Sequence, residues 1–243
     1  MLLSALALVA VFARRAVLLH LKRGRLFAAA HAVEKDDESG NEVKAVKISK
    51  ADKAKIDSLI EQADCLLKRG EEDKAIKIFV QALAINSSHI ETQQKLAMLY
   101  LQKQMLGSAA ALFKQLSALT NDPVHFSHLG FVLFQQSSYE EARDAYQKAV
   151  DLDPSRSQRF VSLAQVYRSM GQLQNAVIAL NKAVELDPEN IDFLLLLTEI
   201  YAELNNIEEA EVVLRNILER APDNEDASRF LDKLRKEKGG KNN

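Results

Sequence analysis

Residues 157–190 read SQRFVSLAQVYRSMGQLQNAVIALNKAVELDPEN. Within this stretch Phe160, Leu163, Ala164 and Tyr167 stand at i, i+3, i+4 and i+7, the stripe by which a helix faces a neighbour. Ala176, Leu180 and Ala183 form a second stripe, and Pro188 ends it, because proline lacks an N–H and clashes with the preceding turn. The stretch is therefore a pair of helices, and its 34 residues set a period.

The same period runs outward in both directions. Pro154, Pro188 and Pro222 are each 34 residues apart. The block 123–156 carries Phe126, Leu129, Gly130, Leu133, Ala142, Tyr146, Ala149 and Pro154. The block 191–224 carries Leu194, Leu197, Thr198, Tyr201, Ala210, Leu214, Ile217 and Pro222. Upstream, 90–122 offers Leu96, Ala97, Tyr100, Ala109 and Phe113 and is one residue short. The block 56–89 offers Leu59, Ala63, Leu66, Ala75, Phe79 and Ala82, with Ser87 in place of the proline. A repeat of this length is the signature of stacked supersecondary units, none of which buries its apolar side alone. Small residues such as Gly130 with Ala142, and Ala164 with Ala176, let the two helices of a unit approach closely. Asp153 and Asp187, just before their prolines, are placed to cap the following helix.

These five blocks resemble the 34-residue tetratricopeptide repeat, W-x2-L-G-x2-Y…A-x3-F…A…P. The resemblance implies an all-α fold, a right-handed superhelical solenoid of about five helix-turn-helix repeats. Residues 225–238 place Ala227, Phe230, Leu231 and Leu234 on one side and Arg229, Lys233, Arg235 and Lys236 elsewhere, as a C-terminal capping helix would. The expected organisation is a segment 1–33, a charged linker 34–50, repeats over 51–224, the cap 225–238 and a frayed tail 239–243. Ser49-x-x-Asp52 marks the first helix start.

Composition agrees with a helical binding protein. Four prolines, eight glycines and no Trp are few for an all-β chain of 243 residues. Residues 1–33 hold five of the 32 basic residues and no acid, leaving 27 against 34 acids in the body, a net charge near −7. An acidic body argues against nucleic acid as a partner, since that affinity comes from clustered Lys and Arg. The single cysteine, Cys65, forms no intramolecular disulfide, excludes a Cys-rich metal site and reads as a small, semi-buried filler. His125 and His128 lie three apart, with no third ligand nearby to make a metal site. Glu140-Glu141 and Glu208-Glu209 fall early in their helices, where acids suit the helix dipole. No phosphate-binding glycine loop, nucleophile elbow or HExxH occurs. The chain reads as a non-enzyme with no cofactor.

Leu2 to Ala13 is an apolar run closed by Arg14 and Arg15. As a helix it spans about 18 Å against a hydrocarbon core of about 30 Å. Extending it through Leu21 submerges two arginines at about 2.5–3.5 kcal/mol each. The leading reading is a truncated or interfacial membrane anchor with the repeats in the cytoplasm. The alternatives are a mitochondrial presequence, a secretory signal with Ala30-His31-Ala32 as its cleavage site, and an apolar extension packed on a soluble cytoplasmic solenoid.

By the same resemblance, the concave groove of the first helices takes a protein or peptide ligand, a partner helix or an extended segment. The resemblance places Ile60, Leu67, Gln94, Met98, Leu101, Ser127, Phe131, Phe134, Gln135, Gln165, Arg168 and Glu199 there. Ile60, Asp64, Lys95, Val124 and His128 stand where chaperone-tail binders of the family carry a carboxylate clamp, so acidic chaperone tails are disfavoured. Met98, Leu101, Phe131 and Phe134 form an apolar patch flanked by glutamines, or else Phe131 and Phe134 pack as core against the adjacent repeat. The functional expectation is a membrane-tethered scaffold or adaptor that recruits partners through this groove; the alternative is a self-associating or complex-bracing subunit. A fragment of residues 51–238 is expected to be helical and to melt cooperatively without the first 33 residues. An unfolded circular-dichroism spectrum for that fragment would refute the repeat reading.

Overall fold

The computed structural model describes residues 48–240, which form one helical unit. Segment 1–33, nearly all of the linker and the last three residues lie outside the described residues. Eleven helices and no strand occur among the described residues. In chain order they are α1 (Lys50–Lys68), α2 (Glu72–Ile85), α3 (Ile90–Gln102), α4 (Leu106–Thr120) and α5 (Pro123–Gln135). There follow α6 (Tyr139–Leu152), α7 (Ser157–Ser169), α8 (Leu173–Leu186), α9 (Ile191–Glu203), α10 (Ile207–Arg220) and α11 (Glu225–Gly240). Each helix packs on the one before and the one after it, so five hairpins, α1–α2 through α9–α10, stack as an all-α solenoid. The eleventh helix lays Ala227, Leu231 and Leu234 on the last hairpin.

One backbone device turns every hairpin. Gly70, Gln104, Ser137, Gly171 and Asn205 all have φ between 57° and 74°, the left-handed conformation that ends a helix. The next residue's N–H then returns to a carbonyl five residues back. These bonds are Glu71 to Leu66 (2.9 Å), Met105 to Tyr100 (2.8 Å), Ser138 to Leu133 (3.0 Å), Gln172 to Tyr167 (2.8 Å) and Asn206 to Tyr201 (2.9 Å). Orphan carbonyls at each helix end are thereby satisfied. The five turn residues differ, yet their spacing of 33 or 34 is the repeat period.

Between hairpins the chain breaks differently. α6, α8 and α10 stop at Asp153, Asp187 and Ala221, whose extended backbones suit a residue before proline. The short block is the exception: α4 closes on Asn121 in the left-handed region, and Pro123 opens α5 at its first position. There Asp122 Oδ1 accepts the Val124 N–H at 2.7 Å. Ser49 Oγ accepts the Asp52 N–H at 3.0 Å, the start signal seen in the sequence.

Asp153 and Asp187 do not cap the helices that follow, which corrects the reading of the Asp-Pro pairs. Two residues of turn separate each proline from the next helix, so the cap position falls on Arg156 and Asn190. Asn190 Oδ1 accepts the Phe193 N–H at 3.3 Å, while Arg156 makes no side-chain cap.

The core repeats as the turns do. Ala63, Ala97, Gly130, Ala164 and Thr198 on the first helices meet Ala75, Ala109, Ala142, Ala176 and Ala210 on the second, and all ten are buried. Alongside them Phe79, Phe113, Tyr146, Leu180 and Leu214 are buried at one equivalent position, each contributing about 1.5–3 kcal/mol. Gly130 is the tightest of these crossings. A Cβ built on it would lie 2.8 Å from Cδ2 and 2.9 Å from Cγ of Tyr146, at the root of a buried ring that has nowhere to swing.

Gly130→Ala is therefore expected to destabilise the protein by about 1–2 kcal/mol, even though alanine favours helix by about 1 kcal/mol. Gly107→Ala, in the first turn of α4 with open space around it, is expected to be neutral or to gain up to about 1 kcal/mol. Urea midpoints of the two variants against the parent chain measure both.

Candidate functional site

The first helices of the hairpins, α1, α3, α5, α7 and α9, are joined side to side by polar contacts. Lys95 Nζ on α3 donates to Asp64 Oδ2 on α1 at 2.6 Å. Gln94 Nε2 on α3 lies 2.6 Å from His125 Nε2 on α5. Arg159 Nε on α7 donates to Ser127 Oγ on α5 at 3.3 Å. Arg168 on α7 reaches α9, with Nη1 donating to Glu199 Oε2 at 2.9 Å and Nε to Glu203 Oε1 at 2.9 Å. Three of these pairs are separated by 31 residues, and the other two by 32 and 35.

The predicted groove residues fall into three groups. Ile60 does not face a groove: it is 6 % exposed and packs with Ile56 and Ala82 in the first core cluster, which corrects its assignment. Met98, Phe131, Gln135, Gln165 and Glu199 are exposed, Met98 at 47 % and Phe131 at 41 %. Leu67, Gln94, Leu101, Ser127, Phe134 and Arg168 are half-buried. Phe131 is therefore not core, whereas Phe134 packs on the core with its ring 5.6 Å from that of Tyr139. Leu67, Gln94, Met98 and Leu101 come together around one cleft of about 570 Å³ between α1, α2 and α3. Gln165, Arg168 and Glu199 lie at the other end of the row, on α7 and α9.

The same face holds ion pairs that motif reading missed, although it named Asp64 and Lys95 singly. Lys95 is also 3.6 Å from Glu91. Burial works against its ammonium charge, but Asp64 and Glu91 outweigh that and hold its pKa above the usual lysine value. Lys103, at the end of α3, lies 2.9 Å from Asp73 and 3.2 Å from Glu72. Opposite charges 31 residues apart, Asp64 with Lys95 and Glu72 with Lys103, were the available signal in the sequence.

Both ring nitrogens of His125 are occupied. Thr120 Oγ1 donates to the Leu116 carbonyl, so it accepts from His125 Nδ1 at 2.7 Å, and Nε2 accepts from Gln94. His128 lies against Phe113, ring centroids 5.0 Å apart, and burial with the nearby His125 pushes its pKa down. Among the described residues no group of three His, Cys, Asp or Glu could hold a metal ion. Cys65 is exposed on α1, not semi-buried, because Ala63 two residues earlier takes the inward position.

Known proteins share this geometry. Residues 124–189 and 167–234 match sequence profiles described as the tetratricopeptide repeat. No curated protein sequence matches the chain. Its fold is that of solved tetratricopeptide-repeat proteins. The crystal structure of MamA protein aligns with TM-score 0.64 and 23 % identity, over 69 % of this chain and 92 % of MamA. A MamA from Desulfovibrio magneticus RS-1 aligns with TM-score 0.63 and 19 % identity, over 70 % of this chain and 97 % of its own. YrrB, described as a TPR protein with an unusual peptide-binding site, aligns with TM-score 0.61 and 22 % identity, over 74 % and 97 %.

The Arg159 contact generates a pH prediction. Its guanidinium is almost buried and donates to the Asp153 carbonyl (2.7 Å) and Oδ2 (2.6 Å) as well as to Ser127. The Ser155 hydroxyl, then Arg159, then the Ser155 N–H hold the Asp153 carboxyl well below the usual carboxylate range. A depressed folded-state pKa contributes stability that is complete above the unfolded value, about 3.9, and is lost as pH falls below it. Asp153→Asn is expected to lower the Tm at pH 7 by an amount that shrinks as pH drops from 4 toward 2. Asp187→Asn is expected to cost less at pH 7, because Phe193 stands where Arg159 does in the preceding repeat. Thermal melts across pH measure both.

Proposed function

We propose that this tetratricopeptide-repeat chain is a non-enzymatic scaffold that gathers other proteins on the face of its first helices, and that residues 1–33 tether it to a membrane. The observation that carries the binding reading is the pair Met98 and Phe131. They occupy equivalent positions in adjacent repeats, and both are exposed on helices whose core positions are filled by other apolar residues. Large apolar side chains at matched positions on one face of a repeat stack are the kind of surface a partner helix or extended segment covers. The flanks of this centre are polar: Asp64 and Lys95 toward one end, Arg168, Glu199 and Glu203 toward the other. Apolar centre and charged rim match the anatomy of protein–protein interfaces. YrrB's description as a peptide-binding TPR protein is consistent with this reading.

Tethering rests on the apolar run Leu2–Ala13 followed by Arg14 and Arg15. No helix among the described residues is long and apolar enough to cross a membrane. Positive charge flanking the run favours a cytoplasmic position for the repeats.

The test is a pull-down from detergent-solubilised cells with the full chain and with Met98→Glu, Phe131→Glu. Both side chains are exposed, so the double variant is expected to keep its fold by circular dichroism while losing its partners. Partners retained by a folded double variant would refute the binding reading. In the same cells, a chain lacking residues 1–33 is expected to leave the membrane fraction, and its retention there would refute the tether.

A further inference from the structure

The cleft between α1, α2 and α3 has a floor and two poles. Leu67, Met98 and Leu101 supply apolar surface. At one pole Lys95 is shared by Asp64 and Glu91; at the other Lys103 is shared by Glu72 and Asp73. Four carboxylates thus surround two ammonium groups, a surplus of two negative charges. The carboxylates are not held alike. Asp64 and Glu72 line the cleft and are 37 % and 33 % exposed, whereas Glu91 and Asp73 are 58 % and 82 % exposed. The outer pair can turn to an incoming cation while the inner pair keeps each lysine in place. Lys95 and Lys103 are eight residues apart on α3, about 12 Å along the axis, or about four residues of extended chain.

We propose that this cleft docks a short partner segment with apolar side chains at its centre and a lysine or arginine at each end, the cations spaced by about four extended residues. The apolar centre covers Met98 and Leu101, and the two cations meet Glu91 and Asp73. This deepens the scaffold reading by naming the partner chemistry at one end of the face, and rests on it. The surplus charge makes an acidic segment a poor occupant, because each carboxylate it brought would face two others across each pole. A basic segment without apolar residues lacks the desolvation that sustains binding, since exposed ion pairs contribute little and are screened by salt.

The experiment titrates the full chain against three fluorescent peptides, read by anisotropy: cores Lys-Ser-Leu-Ser-Lys, Glu-Ser-Leu-Ser-Glu and Lys-Ser-Ser-Ser-Lys, whose first, third and fifth side chains share one face of an extended chain. Saturable binding is expected for the first, with the other two weaker by about tenfold or more. Asp73→Asn with Glu91→Gln, both at exposed positions, is expected to weaken the first peptide about tenfold, and Met98→Ser by a similar factor. Ile178→Ser, exposed on α8 and away from the cleft, is expected to leave it within about twofold. No saturable binding of the first peptide would overturn the proposal, as would equal affinity for the acidic peptide or indifference to the Asp73 and Glu91 changes. If the peptide fails while partners are still lost with Met98→Glu, Phe131→Glu, the inference falls and the scaffold reading stands. If the peptide binds as expected while no partner depends on that variant, the cleft stands and the wider face does not.

Discussion

Everything in this solenoid hangs on how closely two helices of a hairpin cross. At the crossing the first helix presents alanine, glycine or threonine and the second presents alanine, in all five hairpins, and every one of these residues is buried. A larger side chain there would push the helices apart and uncover the aromatic or leucine beside the crossing. Gly130 shows the limit, since the only partner that is a tyrosine faces the only crossing with no Cβ. Interiors packed at crystal-like density tolerate such exchanges only in compensating pairs.

The close crossing has a second consequence. With the inner faces filled by small residues at the crossing and large apolar residues around it, the outward side of each first helix is free to vary. Position by position it does: Asp64, Met98, Phe131, Gln165 and Glu199 are equivalent in the five repeats, and run from acid through two apolar residues and an amide back to acid. The core residues repeat because they solve the same packing problem five times. The outward residues do not, because no packing problem constrains them. A face whose chemistry changes from acid and base to apolar to acid and base along its length is what this division of labour permits.

That division also explains which features the sequence discloses and which it hides. Proline, alanine and aromatic positions recur at 33 or 34 residues, so the helical-repeat fold is legible from their spacing alone. Details that depend on loop geometry are not. Asp153 has the residue type of a cap, yet the turn after Pro154 carries the helix start beyond its reach. Ile60 sits at a position that is half-buried as Gln94 and Ser127 but buried as Val161, and in the first hairpin it packs beside Ile56. The polar links between first helices are hidden for a different reason. They join residues 31, 32 or 35 apart, while the motif positions recur 33 or 34 apart.

This offset bears on how such a face discriminates among ligands. Pairs such as Asp64 with Lys95 and Arg168 with Glu199 are partly exposed, so each contributes less than about 1 kcal/mol and can be exchanged for a pair with a ligand at little cost. They set which charges are admitted and at what spacing, but supply little affinity. Met98 and Phe131 carry the opposite character: covering them releases water whatever the ligand's charge, at about 25 cal/mol per Å² of apolar surface. Affinity from the apolar centre and selectivity from the paired ends are therefore separable on this chain. Lys95 and Met98 lie three residues apart on α3, within one helical turn, so a single short segment at that end meets both together.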